Sequence, residues 1–326
     1  MDLSKEINEV ATALKAEILA GNFTVSKMKK DDSLNLTINL KGFNDDLPII
    51  LLQKWMGQFL TVFEEKGEIG ILFNFATLFR DLFLTNFGFF PLLGGFGDKG
   101  SGKSAFGELL QKFFSNKEDS LPLSGTTLNE LLSGLSAGTN ETIFIDDYSD
   151  TEVSNKRFNA LKMMYEWNAI SSKKKTYKTN CSIYIAGECL PAKDDNSLQS
   201  RLISLPFHSR HRTTEQRDLL TNLMHSSSQG LGDLTQEIVK HRLLFQNHIN
   251  TTYKEVVSEI KAVFETSGQK KEYEVRILEN YAVLLVTYRV LESEIHFPFS
   301  YESIFKKCIT GVLENSQAIQ STNGSK

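Results

Sequence analysis

The sequence predicts an α/β fold with a mainly parallel central sheet flanked by helices, and three observations carry that expectation. Between residues 69 and 207, short apolar runs of strand length alternate with helix-period segments, the pattern of strand-helix-strand crossovers. A glycine-rich stretch, GGFGDKGSGKS at 94–104, falls between one such run and a helical pattern. Beyond residue 212 the strand signals stop, and residues 215–315 read as successive helices, the clearest being YEVRILENYAVLLVTYRVLE. A small α+β segment precedes the core. The expected divisions are residues 1–66 for that segment, 67–212 for the core, and 213–326 for a helical lid or interaction subdomain.

Taken in order, SKEINEVATALKAEILA (4–20) has Ser4 as N-cap, Ile7, Val10, Leu14 and Ile18 at helical spacing, and Gly21 as a stop. SLNLTINL alternates Leu34, Leu36, Ile38 and Leu40 with polar residues, the period of a strand with one buried face. Residues 49–65 are again helical. An apolar helix from 69 leads into a strand, FFPLL, then the glycine loop, a helix over 103–115 and a polar connection. A strand TIFID, a helix over 155–168, a basic turn, and strands CSIYIAG and RLISLPF complete the core.

Composition narrows the function classes. A hydrophobic content of 40% suffices for a substantial core, and a net charge of −4 provides no global basic field, so any nucleic-acid contact must come from a local patch. Three cysteines (Cys181, Cys189, Cys308), with no CxxC pair, support neither a disulfide framework nor a structural zinc site and fit a reducing, cytoplasmic setting. The apolar stretch 69–90 is interrupted by Asn74, Arg80, Asp81 and Asn86, which favours a buried helix and strand over a membrane span, and no signal peptide precedes it. The polar ending ENSQAIQSTNGSK has no cap, as in a shortened chain or a frayed terminus.

The glycine stretch carries the chemistry. Gly97, Asp98, Lys99, Gly100, Ser101, Gly102, Lys103 and Ser104 match G-x-x-x-x-G-K-[ST] between a strand and a helix, the context that motif requires. Glycines let backbone N–H groups converge on a phosphate, and the helix start adds positive partial charge. Lys103 is expected on the β- and γ-phosphates of ATP, and the Ser104 hydroxyl on Mg²⁺. About forty residues later, TIFIDDYSD ends an apolar strand in Asp146, read as the Mg²⁺ partner, and Asp147, read as the carboxylate that orients or deprotonates water. CSIYIAG is followed by Glu188, a candidate γ-phosphate sensor. A carboxylate there repels phosphate, so a water, the metal or a neighbouring base are its alternative partners. Arg201, at the start of RLISLPF, is a candidate arginine finger for an adjacent subunit, against the alternative of a solvated arginine; Arg210 and Arg212 are weaker competitors. Lys173, Lys174, Lys175 and Lys178 around Tyr177 suit a phosphate backbone with a stacked base, or a solvated turn.

GDKGSGKS, IFIDDYSD, KKKTYKTNCSIYIAGECLP and SLQSRLISLPF, in this order and spacing, resemble the P-loop ATPase domain of phage and plasmid primase-helicases. They look most like the versions encoded with a primase module on bacterial mobile elements, which are similar in layout to superfamily 3 helicases. The likeness spans residues 69–212. It implies a P-loop NTPase fold and a ring, usually hexameric, that hydrolyses ATP between subunits and draws single-stranded DNA through a central channel with basic hairpins. It places nucleotide binding on Gly97, Gly102, Lys103 and Ser104, metal and water chemistry on Asp146 and Asp147, the sensor on Glu188, the finger on Arg201, and DNA contact on the lysine run. The chain departs from the superfamily 3 pattern in having Gly187 and Glu188 where an asparagine is favoured. A zinc-bearing primase module is absent from these residues, so it is expected elsewhere if at all. The rival expectation is a nucleotide-gated assembly or regulatory module without motor work.

Overall fold

The computed structural model describes residues 23–30, 33–40, 47–114, 120–166, 169–172, 175–209, 211–228, 230–266, 268 and 273–323. The helix expected over 4–20 lies outside them. The chain divides into two compact units, Met1–Leu51 and Leu52–Lys326. In the first, β1 (Phe23–Lys30) and β2 (Ser33–Leu40) form an antiparallel hairpin in register from Phe23↔Leu40 to Lys30↔Ser33. The alternating leucines predicted β2; its partner FTVSKMKK has two lysines at its end and gave no comparable alternation.

The second unit is built on a five-stranded, wholly parallel sheet. Helix α1 (Leu47–Phe63) runs into it, and α2 (Glu65–Leu78) and α3 (Arg80–Phe87) precede β3 (Leu92–Gly97). Then come α4 (Lys103–Lys112), β4 (Leu121–Pro122), α5 (Leu128–Leu135), β5 (Thr142–Tyr148) and α6 (Asn155–Met163). A small antiparallel hairpin, β6 (Ala169–Ser172) and β7 (Lys175–Lys178), leads to β8 (Ser182–Gly187) and β9 (Leu202–Phe207). The sheet order is β4-β5-β8-β3-β9. Because β3 lies between β8 and β9, chain connections diverge on either side of it. The C-terminal ends of the strands open a crevice there, where ligands bind in sheets of this kind.

Two details of β3 depart from the sequence pattern. The strand starts at Leu92, since Pro91 has no N–H to give the ladder, and Phe89 makes only an isolated bridge with Glu166. It also runs through Gly94 and Gly95, which read as loop. A Cβ on Gly95 would lie 2.0 Å from the Tyr184 hydroxyl, and one on Gly94 would lie 2.4 Å from the Phe96 ring. These glycines admit neighbouring aromatics rather than bend the chain. Gly107 in α4 does the same for Phe144 and Tyr184, at 2.6 Å from each, so that helix lies close on the sheet.

Phenylalanines fill the interior. Phe106 of α4 packs against Phe59, Phe63, Tyr184 and Phe207, linking α1, the sheet and the loop helix. Two buried polar side chains tie the helices to β5: Gln111 accepts from the Phe144 N–H at 2.7 Å, and Asn74 donates to the Leu110 carbonyl and accepts from Thr142. The polar connection after α4 contains α5, begun by a capping box between Thr127 and Glu130, a T-x-x-E signal that the sequence displays.

After the sheet, successive helices follow as expected: α7 (Thr214–Ser226), α8 (Gly232–Val239), α9 (Arg242–Thr266), α10 (Val275–Leu291) and α11 (Tyr301–Asn323). Phe79 stacks on Phe245 with ring centroids 4.2 Å apart, fixing α9 to the core. Asn315 of α11 accepts from the Ser204 N–H at 2.8 Å and donates to its carbonyl, covering the edge strand β9. Asp81 of α3 pairs with Arg242 of α9 and accepts from Asn140 at 2.7 Å. Burial alone would raise its pKa, but the hydrogen bonds from Arg242 and Asn140 outweigh it and hold the carboxyl below its ordinary range. A depressed folded pKa contributes stability above the ordinary carboxylate range, and that contribution is lost as pH falls through the folded value. Asp81→Asn is therefore expected to lower unfolding stability by on the order of 1 kcal/mol at pH 7, discounted for a partly exposed pair. Denaturant titrations of both proteins should converge in acid.

Candidate active site

β3 ends at Gly97 and α4 begins at Lys103, so residues 98–102 turn the chain at the C-terminal edge of the sheet. Gly97 (φ 136°), Gly100 (φ 72°) and Gly102 (φ 100°) occupy left-handed backbone that side chains resist. Space demands glycine at 97 as well, since a Cβ would sit 1.9 Å from the Phe207 carbonyl oxygen. The loop is braced internally: Ser101 Oγ donates to the Asp98 carbonyl at 2.7 Å, and the Ser209 N–H donates to the Asp98 carboxylate at 2.8 Å. Lys103 Nζ donates to the Gly97 and Asp98 carbonyls at 2.8 and 2.6 Å. An ammonium has three donors, so one is left for a further acceptor.

Helix α4 starts with no side-chain cap and no acid in its first turn, in contrast to α5 and α7, which open with capping boxes. Its first N–H groups and positive dipole end are thus kept for something other than the chain's own side chains. Tyr184, wholly buried, donates its hydroxyl to the Lys103 carbonyl at 3.2 Å and fixes the first turn. Burial, with the Asp146 charge second, holds that phenol far above its ordinary pKa, so it remains a donor.

Across the crevice, β5 brings both aspartates to one wall. In a regular strand Asp146 and Asp147 would point to opposite faces. Here the pairing with β8 shifts register between Ile145 and Tyr148, and Asp147 takes φ 54°. That irregularity turns the backbone so that both carboxylates line a single cavity, at a backbone cost on the order of 1 kcal/mol. The Asp147 N–H donates to Asp146 Oδ1 at 2.9 Å and sets their relative position. Asp150 supports the turn, accepting from the Tyr148 hydroxyl at 2.6 Å and from the Ala192 N–H at 2.8 Å.

The cavity has a volume of about 710 Å³, within the range of small-molecule sites. Lys99, Gly100, Lys103 and Ser104 line it together with Asp146, Asp147, Asp150, Glu152, Gly187 and Glu188. Glu188 follows β8, which lies between β5 and β3, and its carboxylate pairs with Lys99 at 3.3 Å. Both side chains of this pair are exposed, so it holds Glu188 only weakly. Ser104 and Asp146 offer a hydroxyl and a carboxylate oxygen, hard donors of the kind Mg²⁺ takes, so the residues fit that ion. Gly97, Ser101 and Gly102 shape the loop without lining this cavity.

Arg201 stands apart. It precedes β9, whose Leu202 is level with Leu92, so it lies at the N-terminal edge of the sheet while the loop lies at the C-terminal edge. Six residues of strand separate them, about 20 Å, beyond the reach of an arginine side chain. Its guanidinium donates to the Ser197 carbonyl at 2.5 Å and faces Glu166 at 3.8 Å.

Of the lysine run, Lys173 and Lys174 lie outside the described residues; Lys175 opens β7, and Lys178, at its end, is exposed. The expected basic turn is a β-hairpin whose two stalks are stapled by the buried Arg80, which donates to the Met164 carbonyl at 2.9 Å and the Thr179 carbonyl at 3.3 Å. Burial pushes that guanidinium down to about 10. Tyr177 corrects an expectation: it is buried in the core cluster with Leu161 and Cys181, which leaves it no face for a stacked base.

The sequence marks Arg212 only as a weaker candidate for the finger and does not single out Arg276 at all. Arg212 lies against its own phosphate loop, where a Cβ on Gly102 would meet its guanidinium at 2.1 Å. Arg276 of α10 approaches Arg201. Neither placement has a signal in linear sequence, because both depend on how the segment beyond β9 folds back on the sheet. Arg210 lies outside the described residues.

No known family profile matches the chain, and no curated protein matches it. Among solved structures, the helicase Cch of SCCmec type IV is similar at 15% identity and TM-score 0.60, over 80% of this chain and 51% of that one. The chain thus spans about half that helicase's length. An MCM homologue from Methanopyrus kandleri is similar at 11% identity and TM-score 0.49, over 90% of this chain and 69% of that one. The chain has the P-loop fold of ATPases and helicases: a parallel sheet flanked by helices with a helical C-terminal part. No helix among the described residues is long and apolar enough to cross a membrane.

Proposed function

We propose that the chain is the motor of an ATP-dependent DNA helicase or translocase from a phage-type or mobile-element replication protein, hydrolysing ATP at interfaces within a ring, expected to be a hexamer. The observation that carries it is the single cavity that gathers Lys103, Ser104, Asp146, Asp147 and Glu188 at the C-terminal edge of the sheet. The fold shared with the Cch helicase supports the motor reading.

In this reading the loop amides of 97–104 and the Lys103 ammonium bind the triphosphate. Ser104 and Asp146 would hold Mg²⁺, which supplies charge neutralisation at the phosphates when bound. Asp147 orients a water and takes its proton, and Glu188 with Lys99 reports on the terminal phosphate. Arg201, too far from its own loop, serves the nucleotide of an adjacent copy. Lys173, Lys174, Lys175 and Lys178 would place ammonium groups on single-stranded DNA, with Tyr177 holding the hairpin to the core rather than stacking on a base. A primase module, if the replication protein has one, lies elsewhere.

ATP turnover with and without single-stranded DNA tests this. Stimulation that falls steeply with salt, and is lost when Lys173, Lys174 and Lys175 are changed to alanine, is the expected result. Turnover without stimulation or salt-sensitive DNA binding would leave an ATPase and remove the helicase. The buried Tyr177 favours that second reading, a nucleotide-gated assembly or regulatory module, because it leaves the hairpin only its lysines for DNA.

A further inference from the structure

Tyr165 lies at the foot of the β6–β7 hairpin, and two guanidinium groups are packed on it. Arg201 lies 5.7 Å from its ring centroid and Arg276 lies 5.8 Å from it. The platform is rigid. The Tyr165 hydroxyl donates to Asn280 Oδ1 at 2.9 Å, Asn280 donates to the Ser200 carbonyl at 3.2 Å, and the Phe90 N–H donates to the Tyr165 carbonyl at 2.8 Å. Phe89 stacks on the same ring at 5.3 Å. Arg276 is held in turn by donating to Ser200 Oγ at 3.2 Å, one residue from Arg201.

Like charges brought this close repel; Glu166, half exposed, lies 3.8 Å from Arg201, while the Asp194 charge also acts on Arg201 and the Glu279 charge on Arg276. Burial first and the Arg276 charge second lower the Arg201 pKa, against the opposing pull of Glu166, Tyr165 and Asp194. The Arg201 Nε is buried with no hydrogen-bond partner. Two planar forks held on one ring, one of them with a buried Nε that has no acceptor, suit a polyphosphate, whose several oxygens accept from both at once.

We infer that Arg276 joins Arg201 on Tyr165 as a two-arginine receptor for the triphosphate bound in a second copy of this chain. This rests on the between-subunit reading given above and adds to it a contribution from the helical C-terminal part. The copy that binds ATP then draws on two elements of its neighbour, the turn before β9 and the start of α10. A nucleotide at the interface thereby ties the neighbour's sheet to its helical part and to the foot of its hairpin.

The test uses the full chain, with ATP turnover measured as protein concentration rises. Arg276→Ala is expected to lower turnover at least tenfold while its own binding of a fluorescent ATP analogue stays unchanged. Mixing it with Lys103→Ala protein should restore activity, because that copy has no working loop but donates both arginines. Arg276→Lys, which keeps the charge and stem but not the fork, should fall between, and covers a failure of the alanine variant to fold. Turnover within twofold of the parent in Arg276→Ala, while Arg201→Ala is inactive, overturns the second arginine and leaves the first. A loss that mixing does not restore also overturns it. If both arginine variants match the parent while Lys103→Ala is inactive, the between-subunit reading itself fails and takes the receptor with it.

Discussion

Lys103→Ala is expected to lose nucleotide binding by at least a hundredfold and to show no turnover. The ammonium already spans the loop through the Gly97 and Asp98 carbonyls, at the end of a helix whose first turn contains no acid. Removing it deletes the one side-chain cation that the loop contributes at the helix start. A charge-assisted hydrogen bond is worth about 1.5–3 kcal/mol, and the Coulomb attraction to a polyanion adds to it, so two or more decades of affinity are at stake. The measurement is a melting scan with and without MgATP. The parent should gain stability as RT ln(1 + [L]/Kd), and the variant should show no gain at the same concentration. Equal shifts in both proteins would mean that the loop does not bind triphosphate. The scan without nucleotide is the control, because Lys103 also braces the loop.

Much of this was legible in the sequence for identifiable reasons. Strand-loop-helix chemistry is local: glycines at 97, 100 and 102 can be read from spacing because each needs a left-handed turn, and all three have one. The apolar run before Asp146 was legible because β5 is buried along most of its length. What could not be read depends on distant partners. Gly94 and Gly95 look like loop until Tyr184 and Phe96 are seen to fill the space beside them. Tyr177 looks available beside four lysines until the core closes over it. Arg276, 75 positions beyond Arg201, reaches Tyr165 only because α10 returns to the foot of the sheet. The aspartate pair is an intermediate case: both residues were found, but their shared orientation comes from a register shift that no side-chain pattern announces.

That register shift makes Asp147→Asn the sharpest test of the chemistry. Asparagine tolerates the left-handed backbone of position 147 about as well as aspartate, so the bulge and the N–H to Asp146 Oδ1 should persist. Alanine would change backbone preference together with chemistry and blur the result. The amide cannot take a proton from water, and loss of a positioned general base costs about 10²–10⁴ in rate. Turnover should therefore fall by that factor while nucleotide binding stays within twofold of the parent. On the roles proposed above, Asp146→Asn should differ: if it weakens a metal ligand rather than removing the base, its loss should be partly recovered by raising Mg²⁺, whereas Asp147→Asn should not respond. Recovery of Asp147→Asn by Mg²⁺, with none for Asp146→Asn, would exchange the two roles. Parental turnover in Asp147→Asn would show that the proton leaves by another route, and Glu188, Asp150 and Glu152, which line the same cavity, are then the carboxylates to change next.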